Sequence, residues 1–377
     1  MSLSLLDLVS ILVLTTIQRS DSNRSKRNFL RGIGLVLLMS TLIPVVSTTL
    51  ASPGDTQGDM FNKTGNILIT DQFNNRVIEV NPVTKDIVWS FGSGDPSLCN
   101  PGPGAIIGTN YAERLSNGLT LIAGTGIPPG ASKFMPNGCA DNRVIVVDPT
   151  GQIIWQYGQA GVTGSGPNML NVPVSAIELP NHHFLITDQA NNRIIEVNKE
   201  KQIVWSYGPT SGPGALNNPN SAELLPNGHI LIADENNNRA IEITRDGQIV
   251  WQYSTGINTL AFASRLPNGD TLLTDSGNNR ILEINQQKQI VFQYFTNTEP
   301  RSNPSPSPTD AVRLANGDTS IADQFNDRVI IVDSNGNIVF QYGKTHVAGV
   351  GQNELDAPYS GFAIGDYTGQ TPPPSTF

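Results

Sequence analysis

Residues 221–254 read SAELLPNGHILIADENNNRAIEITRDGQIVWQYS. Pro226-Asn227-Gly228, the asparagines of 236–238 and Asp246-Gly247 cut this stretch into four short apolar or alternating runs. Such residues supply the left-handed and tight-turn conformations that join antiparallel strands, so the stretch predicts four strands in a meander. A related block recurs around Arg76, Arg143, Arg193, Arg239, Arg280 and Arg328. Six such units, spaced 41 to 67 residues apart, predict an all-β, six-bladed β-propeller of four-stranded antiparallel blades.

Every tryptophan occupies one repeat position: Trp89, Trp155, Trp205 and Trp251, with Phe292 and Phe340 in the last two blocks. A large ring recurring on each outermost strand reads as packing against a neighbouring blade, a burial that stabilises by roughly 1.5–3 kcal/mol per side chain. The ring's closure is also written in the chain. Leu170-x-x-Pro173-x-Ser175-Ala176 and Leu216-x-x-Pro219-x-Ser221-Ala222 lead into first strands, and Leu355-x-x-Pro358-x-Ser360-Gly361 repeats them with no second strand after it. Blade 1 starts directly at a second-strand pattern, ILITDQ, so residues 358–365 are expected to supply its innermost strand and leave no long unpaired edge.

The chain has 377 residues, 23 basic against 32 acidic, a net charge of −9, 36 glycines and 26 prolines. The first 51 residues hold five basic and two acidic groups, a local +3, so the remainder carries −12. A surface of that sign repels phosphate backbones, and no nucleic-acid partner is expected. The basic cluster Arg24–Arg31, the uncharged run from Gly32 and the small-x-small Thr49-Leu50-Ala51 make residues 1–51 a secretory signal cut after Ala51. Twenty uncharged residues can equally span a bilayer, so the alternative is an uncleaved signal anchor, the one route by which a membrane would be involved. Residues 57–366 form the propeller, and 367–377, with Pro372–Pro374, a disordered tail. In an exported chain the two cysteines, Cys99 and Cys139, can pair. Cys99 falls in the link from blade 1 to blade 2, and Cys139 in a 14-residue insertion between the second and third strands of blade 2, on the same face of the wheel, so a Cys99–Cys139 disulfide is expected.

The block Asp-x-x-Asn-x-Arg, as in Asp71–Glu79 and Asp188–Glu196, resembles the NHL-repeat propellers. The closing pattern at Ile203–Gly208 is similar to repeats of the arylsulfotransferase-like and quinoprotein-like propellers. The resemblance spans residues about 57–366 and implies the fold. Relatives of this architecture include binding scaffolds, RNA readers, a lyase and hydrolases, so it leaves function open.

Asp71, Asp188, Asp234, Asp275 and Asp323 each stand five residues before the repeat arginine, which marks the pair as a structural bridge of the turn; a catalytic pair is needed once, not five times. Blade 2 has Gly124 in the aspartate slot. Asp234–Asn238 lacks the glycine and distal glutamate of a calcium loop, and no metal or cofactor is expected. Near the axis, the ends of the first strands carry Arg114, Glu178, Leu224, Arg265 and Arg313. Three guanidinium forks converging there would hold a carboxylate, sulfate or sugar acid; the alternative is pairing with Glu113, Glu178 and Glu223 between blades. The long connections 158–171, 208–218, 295–309 and 343–356 share one face, with His346 on it, and make it the ligand side. Arylsulfotransferase-like chemistry needs channel histidines and the NHL-related lyase needs metal-binding ones, neither of which this chain places. The expectation is a monomeric exported scaffold binding a small anionic ligand, a carbohydrate or a protein, with Arg114, Glu178, Arg265, Arg313 and His346 as candidate contacts. The alternatives are a propeller enzyme (hydrolase, lyase or arylsulfotransferase-like) with its site at the channel mouth, or a purely structural envelope protein.

Overall fold

The structure is a computed structural model that describes residues 60–366. The signal or anchor expected over 1–51 and the tail expected over 367–377 lie outside the described residues. Six four-stranded antiparallel sheets follow one another as blades, and the innermost strand of blade 1, Pro358–Ala363, comes from the far end of the chain. It pairs with Ile67–Asp71 in the register Ile67↔Ala363 to Thr70↔Ser360, and the hydroxyls of Thr70 and Ser360 meet at 3.0 Å. The inferred one-plus-three closure is therefore how the wheel shuts.

Alternation along each strand divides its side chains between two neighbours. In blade 1, Ile67 and Ile69 pack with Val329 and Ile331 of blade 6, whereas Leu68 packs with Ile122 and Ile145 of blade 2. The core thus lies in the seams between blades, and a single blade has no core of its own. The half-buried tryptophans reach across these seams as expected. The indole N–H of Trp89 donates to the Pro149 carbonyl at 3.0 Å, that of Trp155 to Lys199 at 2.9 Å and that of Trp205 to Arg245 at 2.8 Å, each in the next blade.

The Asp-x-x-Asn-x-Arg block is a bracket at the turn between second and third strands. Arg76, Arg193, Arg239, Arg280 and Arg328 bind the aspartate five residues earlier at 2.6–2.8 Å, with each carboxylate fully buried. The residue before each arginine has positive φ: Asn75, Asn142, Asn192, Asn238, Asn279 and Asp327, at 52–61°. Asn and Asp are the side-chain-bearing residues that tolerate this region best. Its Oδ1 accepts an N–H from the link entering the next blade: Gly108, Val172, Asn218, Thr259, Ser307 and, at the closure, Ala357, at 2.6–3.2 Å.

Blade 2 keeps the bracket by another route. Its arginine binds Asp141, two residues earlier, with Nε to Oδ1 at 2.6 Å, and Asp141 also accepts the N–H of Ile107. A Cβ on Gly124 would lie 2.9 Å from the Asp141 carboxyl carbon, so glycine at 124 leaves the space into which the substitute carboxylate folds.

Only at the closure does an aspartate, Asp327, take the asparagine position. Burial, reinforced by Asp356, pushes its carboxyl up to about 6 even though Ala357 donates to it. A carboxyl raised above its unfolded value stabilises fully below that unfolded value and loses the contribution as pH rises through the folded one. Asp327→Asn should therefore be nearly neutral at pH 4 and stabilising by about 1–2 kcal/mol at pH 8. Urea denaturation at the two pH values checks this, and an equal effect at both would contradict it.

Candidate functional site

The arginines expected at the axis are found in three separate seams. Arg114 Nη2 binds Glu79 Oε2 at 2.8 Å, Arg265 binds Glu242 at 2.9 Å and Arg313 binds Glu283 at 2.7 Å, each glutamate lying on the third strand of the preceding blade. Each guanidinium also stacks over the outer-strand ring of that blade: Trp89 at 4.6 Å, Trp251 at 4.7 Å and Phe292 at 5.0 Å. Carboxylate and aromatic face engage each guanidinium within its own seam, so the three arginines do not converge on one anion site. The glutamates proposed as partners, Glu113 and Glu223, instead accept the backbone N–H of Glu178 and Arg265, both at 3.0 Å. Burial pushes each of these two carboxyls up to about 8.

The remaining seams follow the same logic. Where Leu224 stands in place of an arginine, Glu196 is held by Arg245 at 2.7 Å and by His183 Nδ1 at 2.7 Å. Glu178 stands opposite Val146, which offers no carboxylate; it is buried, with Oε1 3.2 Å from His182 Nδ1. At the closure both partners are apolar, Ile331 and Ala363. Of the four histidines, His182, His183 and His229 are thus tied to glutamates, and among the described residues no group of three or more His, Cys, Asp or Glu could hold a metal ion.

The axis itself is crossed near the long-loop face by a polar belt that sequence reading missed. In blades 1–5 a bulge interrupts the pairing of first and second strands. A bulge lets two consecutive residues face the same side. Tyr359, from the closing strand, occupies the bulge of blade 1 and reaches across the axis to blade 4, where Asn220 Nδ2 donates to its hydroxyl at 2.9 Å and to Glu235 Oε2 at 2.8 Å. Gln189 also donates to Glu235, while Gln324 donates to Gln72 and Gln72 to Asn110. Burial, with Glu235 nearby, drives the Tyr359 phenol far above its usual range. The only trace of this belt in the sequence is the unmatched residue between proline and serine in each Pro-x-Ser-Ala motif.

The long-loop face is open. The expected disulfide is present, with Cys99 and Cys139 Cα atoms 5.7 Å apart, and it ties the blade 1–2 link to the insertion. Met135 of the insertion packs with Phe73, Ile107 and Ala357, which fixes the insertion against the wheel. Between the insertion and the connection 158–171 runs a groove lined by Pro128, Pro129, Asn137, Asn142, Thr163 and Asn171, without a charged side chain. The same face also exposes Phe134, Val162, Phe295, Phe325, Val347 and Val350 at 38–51%. His346 lies exposed on the same face, apart from the seam arginines, and its N–H donates to the Asn326 carbonyl.

A family model described as outer membrane protein assembly factor BamB, PQQ_2, matches residues 140–362. No curated protein matches the chain. Among solved structures, a protein of unknown function from Bacteroides caccae is 17% identical with a TM-score of 0.53, over 74% of this chain and 93% of that one. Virginiamycin B lyase from Staphylococcus aureus is 16% identical with a TM-score of 0.43, over 62% of this chain and 69% of that one. Likeness at these identities is one of fold alone, and the second carries no argument about activity.

The seams make a quantitative test possible. Arg313→Ala leaves Glu283 without its cation and should cost about 3 kcal/mol. Adding Glu283→Ile reproduces the apolar Ile331–Ala363 seam and should recover most of that loss, as read by urea denaturation of single and double variants. A double variant no more stable than the single would refute the seam assignment.

Proposed function

The chain belongs to the PQQ_2 family, and on that premise we propose that it is an exported scaffold that binds a protein segment, without covalent chemistry, on its long-loop face. One observation carries this reading: six large apolar side chains are exposed on that single face, which also carries a groove without charged side chains. Exposed apolar groups around a recessed patch are what protein interfaces use, and an uncharged groove avoids the desolvation cost of charged ones. The family description, an outer membrane protein assembly factor, points to a protein partner as well. A small anionic ligand has less support, because the guanidinium groups are already engaged with carboxylates. The disulfide supports an oxidising compartment, and export by the 1–51 segment completes the reading. Within it, the turns that resemble NHL repeats act as brackets that hold the face rigid.

Photo-cross-linking residues placed at Phe134 and Val350 should yield discrete protein adducts in an envelope extract, while one at Val339 on the outer rim should not. Phe134→Asp combined with Val162→Asp should abolish the adducts without lowering the melting temperature. Equal adducts from the rim position, or adducts indifferent to the double substitution, would reject the proposal.

A further inference from the structure

Beneath the polar belt lies a small axial cavity, to which all six blades contribute. At the first-strand position that holds serine in three blades, Ser175, Ser221 and Ser360, blade 6 holds Asp310. Asp310 is 3% exposed and lines this cavity. Neither of its carboxyl oxygens has a hydrogen-bond partner; the N–H groups of Ala311 and Gly361 approach without hydrogen-bonding geometry. Every other carboxylate of the brackets and seams is held by an arginine, a histidine or a backbone N–H. An ionised carboxylate alone in such a place is costly, and protonation would relieve the charge while leaving both oxygens without partners. Burial does raise its pKa strongly, so proton and ligand compete for the same group.

The surroundings select the ligand. The cavity has room for little more than one water-sized particle, far below the space an organic ligand requires. Hard oxygen donors sit around it. Ser175 Oγ donates to Thr187 Oγ1 at 2.8 Å, which leaves its own lone pairs available, and Ser360 Oγ lines the same space. Tyr111 and Phe262 complete its lining. Charge balance sets the valence, since Asp310 is the one acid that lines the cavity, while Glu235 in the belt above is held by Asn220 and Gln189, and Glu223 in the adjoining apolar compartment accepts the N–H of Arg265. We propose that Asp310 holds a single monovalent cation of alkali-metal size on the propeller axis. The ion would join blade 6 to blades 1 and 3 from inside the ring, independently of whatever binds the long-loop face.

The test uses the exported chain. Its melting temperature is measured in sodium or potassium chloride and in the chloride of a bulky organic cation, N-methylglucamine, at equal ionic strength and neutral pH. Crystals grown in the bulky salt are soaked in rubidium chloride and anomalous scattering is recorded. The expected results are a melting temperature several degrees higher in the alkali salts, a rubidium peak within coordination distance of Asp310, and loss of both in Asp310→Asn and in Asp310→Ser, the serine of the sister blades. The anomalous peak is read on the unsubstituted chain, so a variant that fails to fold does not spoil the test. Absence of the peak, whatever the melting temperatures show, overturns the proposal and assigns Asp310 as a protonated acid. A melting shift that persists in Asp310→Asn overturns it as well.

Discussion

The wheel depends on one hydrogen bond made six times, from the link entering each blade to the Oδ1 of the left-handed residue in the blade before it. A single such bond contributes about 1 kcal/mol. Its importance is geometric, because a residue at positive φ projects its side chain out of its own turn, towards the neighbour. The buried Asp–Arg pair and the middle asparagine, which donates to the same carboxylate, hold that turn in the conformation required. A blade cannot satisfy its bracket alone, and since the apolar core also lies between blades, the unit of stability is the seam.

Each seam then solves one electrostatic problem. A glutamate on the third strand must be neutralised once the next blade covers it, and an arginine lying over the outer aromatic ring does so in three seams. The exceptions keep to the rule. Leucine at 224 is accompanied by Arg245 and His183 on the same glutamate, and isoleucine at 331 removes the charge altogether. The recurrent tryptophan thus has two tasks, supplying a π face for the guanidinium and an indole N–H for the next blade's turn.

These arrangements decide where chemistry can occur. The guanidinium groups are engaged in the seams and Tyr359 crosses the axis, whereas the long-loop face carries an uncharged groove. Its insertion in blade 2, tied by the disulfide and by Met135, is the feature that departs most from the repeat. Membership of the PQQ_2 family and the exposed apolar groups of that face point the same way, to recognition of another chain, with the repeating blades as a rigid support.

By itself the sequence determined whatever repeats. Blade number, strand order, the closing strand at Pro358–Ala363, the Asp–Arg bridge and the cysteine pairing follow from periodicity and turn chemistry, which act over a few residues and recur until they are unmistakable. The tertiary structure alone decided what each departure from the repeat does. The replacement of the missing blade 2 aspartate by Asp141, the engagement of Arg114, Arg265 and Arg313 with glutamates of preceding blades, and the reach of Tyr359 to Asn220 join residues 2 to 139 positions apart. Where a side chain points depends on a bulge or on a neighbour's charge, and neither is carried by the local pattern of residues.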